Sequence, residues 1–115
     1  MPYDEGMGVD VILMQINQKG TSSKRRQMAV LGIVPDGSDS FARMCAESET
    51  PMLQRVDPYG SLVLTAQQME QFVQEVGLLR GRTASMPNIS QLEQIKILAE
   101  RCMGDSSLEL HLEGD

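Results

Sequence analysis

Residues 55–76 read R-V-D-P-Y-G-S-L-V-L-T-A-Q-Q-M-E-Q-F-V-Q-E-V, and this stretch decides the fold class. Asp57-Pro58-Tyr59-Gly60 carries the residues of a β-turn, with Asp at the first position, Pro at the second and Gly at the fourth. The short apolar run Leu62-Val63-Leu64 follows. Thr65 with Gln68 then forms a capping box at the start of a helix. Met69, Phe72, Val73, Val76 and Leu79 fall on one face of that helix. A strand over Met52–Val56, a turn, a strand over Ser61–Leu64 and a helix over Thr65–Arg80 are expected, so the chain mixes α and β structure.

Working outward, Val9–Asn17 is the first expected strand. It has apolar residues at both alternations, the pattern of a strand covered on both faces. Met28–Val34 is the second expected strand, antiparallel to the first, and Pro35-Asp36-Gly37 stops it. The polar, basic stretch between them holds Lys19, Lys24, Arg25 and Arg26. Ser38–Glu47 has a short helical pattern in Phe41, Met44 and Cys45, with Ser38 or Asp39 as N-cap. A later helix carries Leu92, Ile95, Leu98, Ala99 and Cys102 on one stripe, with Ser90 and Glu93 as a capping box and Gly104 as its stop. Leu108–Leu112 alternates apolar with Glu109, His111 and Glu113, the pattern of a half-buried strand with one solvated face.

The whole implies an α+β fold: an antiparallel or mixed sheet of about five strands, with two or three helices packed on one face. At 115 residues the chain suits a single domain, 1–115, with residues 1–8 expected to be flexible. The nine methionines are scattered, which fits gap-filling in a core. Cys45 and Cys102 lack the spacing of a disulfide framework or metal site and read as reduced, partly buried hydrophobes of a cytoplasmic protein. No secretion signal or membrane-spanning run is evident.

Charge and motifs narrow the function. The net charge is −6, and no concentrated positive face is evident. Nucleic acid is a poor partner for such a chain and a basic protein suits it better, while composition alone is most simply explained by charge that maintains solubility. There is no G-x-S-x-G, no phosphate-binding loop and no dinucleotide-binding fingerprint. His111 is the single histidine. It lies between Glu109 and Glu113 on the polar side of its strand, where a solvated histidine is the simplest expectation. The three project from one face, but no second histidine or cysteine pair strengthens a metal site. Asp57 most simply makes an Asx hydrogen bond within its turn. Tyr59 is open to two roles, a contact with another molecule or packing back on the sheet.

At Val56–Val76 the chain resembles a family of small uncharacterised bacterial proteins sharing D-P-Y-G-D-T-x-[FL]-x-x-x-Q before a helix, a later L-A-x-x-C, and a final strand ending in Gly-Asp. The counterparts here are Leu98-Ala99-Glu100-Arg101-Cys102 and Glu113-Gly114-Asp115, so the likeness covers Met52–Asp115. Ser61 stands where the family has an acid, which argues against a carboxylate pair with Asp57. Proteins of this kind resemble immunity partners of bacterial polymorphic toxins. The resemblance implies no catalytic activity and no cofactor, only a surface that binds a cognate basic toxin domain and covers its active site. Asp57, Tyr59, Glu70, Glu109, His111 and Glu113 are the contact candidates. Two other possibilities stand: a small ligand-binding or enzymatic domain built on Asp57, Tyr59 and His111, and a structural or regulatory homo-oligomer joined through an exposed edge strand. The chain itself is expected to be a monomer or homodimer.

Overall fold

The computed structural model describes residues 8–17 and 27–114. The basic stretch 18–26 and most of the N-terminal segment, residues 1–7, lie outside the described residues, as does residue 115. Gly8, the first described residue, is buried against Asp36.

The elements are β1 (Asp10–Asn17), β2 (Gln27–Val34), α1 (Ser40–Ala46), a 3-10 turn (Leu53–Arg55), β3 (Ser61–Thr65), a second 3-10 turn (Ala66–Gln68), α2 (Met69–Gly81), α3 (Met86–Met103) and β4 (Leu108–Glu113). The fold is α+β, with one four-stranded antiparallel sheet in the order β2-β1-β4-β3. β4 is therefore interior, paired on both sides, with Leu110 opposite Leu13 and Leu64.

Alternation sends one set of strand residues inward. Val9, Val11 and Leu13 of the β1 segment, Leu64 of β3, and Leu110 and Leu112 of β4 have no exposed surface. They form one core with Phe41, Leu53, Met69, Phe72, Leu92, Ile95, Ala99 and Cys102 from the helical layer. α3 is the helix that runs along the sheet, against β1, β2 and β4. Gly32 lets it approach, since a Cβ there would meet Leu98 Cδ2 at 2.8 Å. α2 packs on α3, and α1 sits between α3 and the first 3-10 turn.

The expected fifth strand does not form. Residues 53–55 make a 3-10 turn, because a carboxylate from α2 reaches its start. Glu75 Oε1 accepts hydrogen bonds from the Met52 and Leu53 backbone amides at 3.1 and 2.9 Å. β3 pairs instead with β4, from Ser61 opposite Glu113 to Thr65 opposite Glu109.

Capping also differs at two helices. Asp39 occupies the N-cap position of α1 in a left-handed conformation, φ 63°, and makes no side-chain cap. Asp36 does that work, accepting from Phe41 N and Ala42 N at 3.0 and 2.9 Å. α3 begins before the expected Ser90 box, with Ser85 at the N-cap position and Pro87 in its first turn, where a missing N–H is harmless. The Thr65–Gln68 box is present, with Gln68 Oε1 accepting from Thr65 N at 2.8 Å.

Candidate protein-binding surface

The helical layer covers one face of the sheet, and the outward alternation builds the other. β1 presents Ile12, Met14 and Ile16. β2 presents Met28, Val30 and Ile33, which are 52%, 54% and 53% exposed. A bulge decides this arrangement. Gly32 lies opposite Leu13 but Val30 lies opposite Met14, so Leu31 is the extra residue. It packs on the core, and the bulge turns Val30 and Met28 outward. Val63 of β3 adds a further exposed apolar side chain.

β4 gives this open face its polar row. His111 Nε2 lies 3.1 Å from Glu109 Oε1, and Nδ1 lies 3.5 Å from Glu113 Oε2. The imidazole is not solvated as the alternation suggests. It is only 8% exposed, because Ile12 and Val63 lie directly opposite it on the neighbouring strands. Glu109 and Glu113 are likewise partly buried, with side chains 18% and 38% exposed.

The row ends at the Asp57–Gly60 turn. Gly60 N donates to Asp57 O at 3.1 Å, and Tyr59 N donates to Asp57 Oδ1 at 2.9 Å, the expected Asx geometry. Gly114, just beyond β4, donates to Gly60 O at 2.6 Å. Its Cα packs so closely on the Asp57–Pro58 backbone that any Cβ would collide. Tyr59 is exposed, and Asp57 is exposed beside it. The turn thus adjoins the Glu113 end of the β4 row, and Glu109 lies at the row's other end, opposite Met14 and Thr65. Glu70 does not belong to this corner, since it lies in the first turn of α2, in the helical layer.

Asp10, absent from the sequence-based candidates, does belong. It starts β1 directly opposite Glu113, a like-charged cross-strand pair that is unfavourable in the isolated fold. The sequence hides it because Asp10 reads as one polar residue in an apolar strand. The four strands hold Asp10, Glu109 and Glu113 as their charged residues and no Lys or Arg. All three acids occupy outward positions.

Two grooves lie away from this corner. A groove of about 300 Å³ is lined by Val34, Pro35, Ser38, Ser40, Ser90 and Gln91 among others. A second of about 260 Å³ is lined by Pro51, Met52, Arg55, Gln67, Gln68 and Gln71. Neither includes Asp57, Tyr59 or His111. Among the described residues, no cluster of three or more His, Cys, Asp or Glu has metal-binding geometry. No helix there is long and apolar enough to cross a membrane.

Both cysteines are buried and free. Burial, followed by the charge of Asp36, pushes the Cys45 thiol far above its ordinary value. Burial, with Glu109 and Asp105 adding to it, pushes Cys102 up to about 11. Neither thiol has the lowered pKa of a reactive nucleophile. Comparison with known protein families, with curated proteins and with solved structures finds no match for this chain.

Proposed function

We propose that this protein is a non-catalytic protein-binding module that engages a basic partner through the acidic corner of its open sheet face. In its sharpest form, it is an immunity protein that neutralises a cognate bacterial toxin in the cytoplasm by covering the toxin's active site. The observation that carries the binding reading is the Asp10–Glu113 pair, with the turn that bears Asp57 and Tyr59 next to Glu113 and with Glu109 further along the same strand. Acids are gathered on strands that hold no Lys or Arg, at a corner capped by an exposed aromatic. A Lys or Arg from a partner relieves the cross-strand repulsion, and Tyr59 offers the amphipathic contact area favoured at interfaces. The toxin as partner rests on the resemblance of residues 52–115 to the immunity-like family.

The test is co-expression with the product of the neighbouring gene. The expected result is rescue of growth from that product's toxicity and a stoichiometric complex that weakens with salt. The double variant Asp10→Lys/Glu113→Lys is expected to weaken the complex at least tenfold, by the scale of close interfacial charge pairs. A harmless neighbouring product that forms no complex would remove the immunity reading. A complex indifferent to the double variant would move the interface away from this corner.

A further inference from the structure

We propose that a second copy of this chain covers the other half of the open sheet face, packing β1 and β2 of one copy on β2 and β1 of the next about a two-fold axis. This surface meets the acidic corner only at Asp10, the first residue of β1.

The starting point is a mismatch between pattern and burial. Strands with one solvated face alternate apolar with polar residues, whereas strands covered on both faces are apolar throughout. β3 and β4 follow the first rule, with Ser61, Thr65, Glu109, His111 and Glu113 among their outward positions. β1 and β2 follow the second. Past Asp10, the described outward side chains are Ile12, Met14, Ile16, Met28, Val30 and Ile33. The helical layer covers their inward side alone, and the outward side chains of β2 stay more than half exposed.

Self-complementarity identifies the occupant. A two-fold interface must match itself, and an uncharged apolar patch does so without a designed counterpart. The placement of the axis follows from charge. An axis along the strands at the centre of the sheet would press the Glu109–His111–Glu113 row onto the apolar strands of the other copy, and stripping the water from two carboxylates that share one imidazole is unfavourable. An axis along the strands between β1 and β2 avoids this for Glu109 and Glu113 and leaves Asp10 at the strand end, beyond the last β1–β2 pair. It sets the six apolar side chains of one copy against those of the other, about 10 Å apart sheet to sheet. The acidic row of β4 then stays at the rim, available to another partner. A different protein is a poorer fit to this half, because the outward positions of β2 offer no polar anchor to select it.

The area sets the strength. Six outward side chains with their flanks give roughly 500–600 Å² per copy, at the low end of specific interfaces. So small a patch suits a weak, reversible dimer, with a dissociation constant on the order of 10 µM, at the micromolar end of what interfaces span.

Sedimentation velocity of the full chain over a range from about 2 to 200 µM tests this, the upper end lying well above the constant expected from the area. The weight-average mass is expected to rise from 12.7 kDa towards twice that value. Val30→Lys and Ile33→Lys, at exposed positions outside the core, are expected to raise the dissociation constant at least tenfold while leaving the circular dichroism spectrum and melting cooperativity unchanged. Glu70→Gln, in the helical layer, is expected to leave it unchanged. A chain that stays at 12.7 kDa at the highest concentration overturns the proposal, as does a dimer that survives both lysines, which would be joined by its strand edges instead. Neither result touches the acidic-corner reading, which is tested by its own partner complex.

Discussion

Replacing Glu75 by Gln tests the account of why residues 53–55 turn instead of pairing as a strand. Glu75 is only 5% exposed. It accepts from Met52 N at 3.1 Å, Leu53 N at 2.9 Å and Gln71 Nε2 at 2.7 Å. Burial alone would raise its carboxyl pKa, but hydrogen bonds from Gln71, Leu53, Thr50 and Met52 outweigh burial and hold it below the ordinary 4.5. A hydrogen bond to a charged acceptor is worth about 1.5–3 kcal/mol and a neutral one about 0.5–1.5. Gln keeps one acceptor oxygen and turns an NH₂ towards the remaining donors. A loss of about 2–3 kcal/mol at pH 7 follows.

The pH dependence gives the sharper signature. The folded pKa lies below the unfolded one, so the ionised carboxylate contributes stability that is fully present above about pH 4.5. That contribution disappears as pH falls through the folded value. Below it, a neutral acid and a neutral amide are nearly equivalent, and wild type and variant should converge. Urea denaturation followed by circular dichroism between pH 7 and about 3.5 measures both quantities. A difference that stays constant across that range, or one under about 0.5 kcal/mol at pH 7, would refute the capping role of Glu75.

Other expectations follow from the same geometry. Asp36 accepts from Val9 N, Phe41 N, Ala42 N and Gln91 Nε2, so Asp36→Ala should lose about 3–5 kcal/mol in urea denaturation, with Asp36→Asn losing less. Gly114→Ala forces a Cβ into the Asp57–Pro58 backbone and should lose about 1–3 kcal/mol, read as a lower melting temperature. Asp10→Asn removes the repulsion with Glu113 yet keeps an acceptor for Asp36 N. The weaker hydrogen bond from Asp36 N offsets the relieved repulsion, so the net change should stay within about 1 kcal/mol and become less favourable as salt screens the repulsion. Cys45 and Cys102, buried with raised pKa, should react with a thiol reagent at pH 8 only on opening of the fold, giving labelling rates that rise with urea.

The elements set by local chemistry were legible in the sequence. The Asp57–Gly60 turn, the Thr65–Gln68 box and the apolar stripes of α2 and α3 each depend on residues within one or two turns of one another. What escaped depends on partners far along the chain. Met52–Val56 has strand composition, and Glu75, more than twenty residues later, decides its conformation. Asp36 outcompetes the nearer Asp39 as the cap of α1 because a left-handed turn carries the Asp39 side chain out of position. His111 alternates as a solvated residue should, yet Ile12 and Val63 enclose it, and no sequence window contains all three. The candidate surface was legible in part. Glu109, His111 and Glu113 share one row and the Asp57–Gly60 turn adjoins its Glu113 end, Glu70 lies in the helical layer, and Asp10 appears only once β1 is laid beside β4.

The bulge at Leu31 links these observations to function. Without it, strict alternation from Val34 would put Val30 and Met28 inward and Leu31 outward. With it, Leu31 joins the core and two more apolar side chains face away from the helices. A sequence shaped for monomer stability alone would place polar residues at those outward positions, as it does on β4. Retaining methionine, valine and isoleucine there, next to a corner where Asp10 faces Glu113, leaves two features of the isolated fold that are unfavourable by the same physical standard. Both become favourable on association, the first by apolar burial and the second by a cationic partner. Stability and binding are therefore expected to trade off residue by residue: Asp10→Asn should relieve the repulsion in the isolated fold while weakening the partner complex, and lysine at Val30 should protect solubility while weakening self-association at least tenfold.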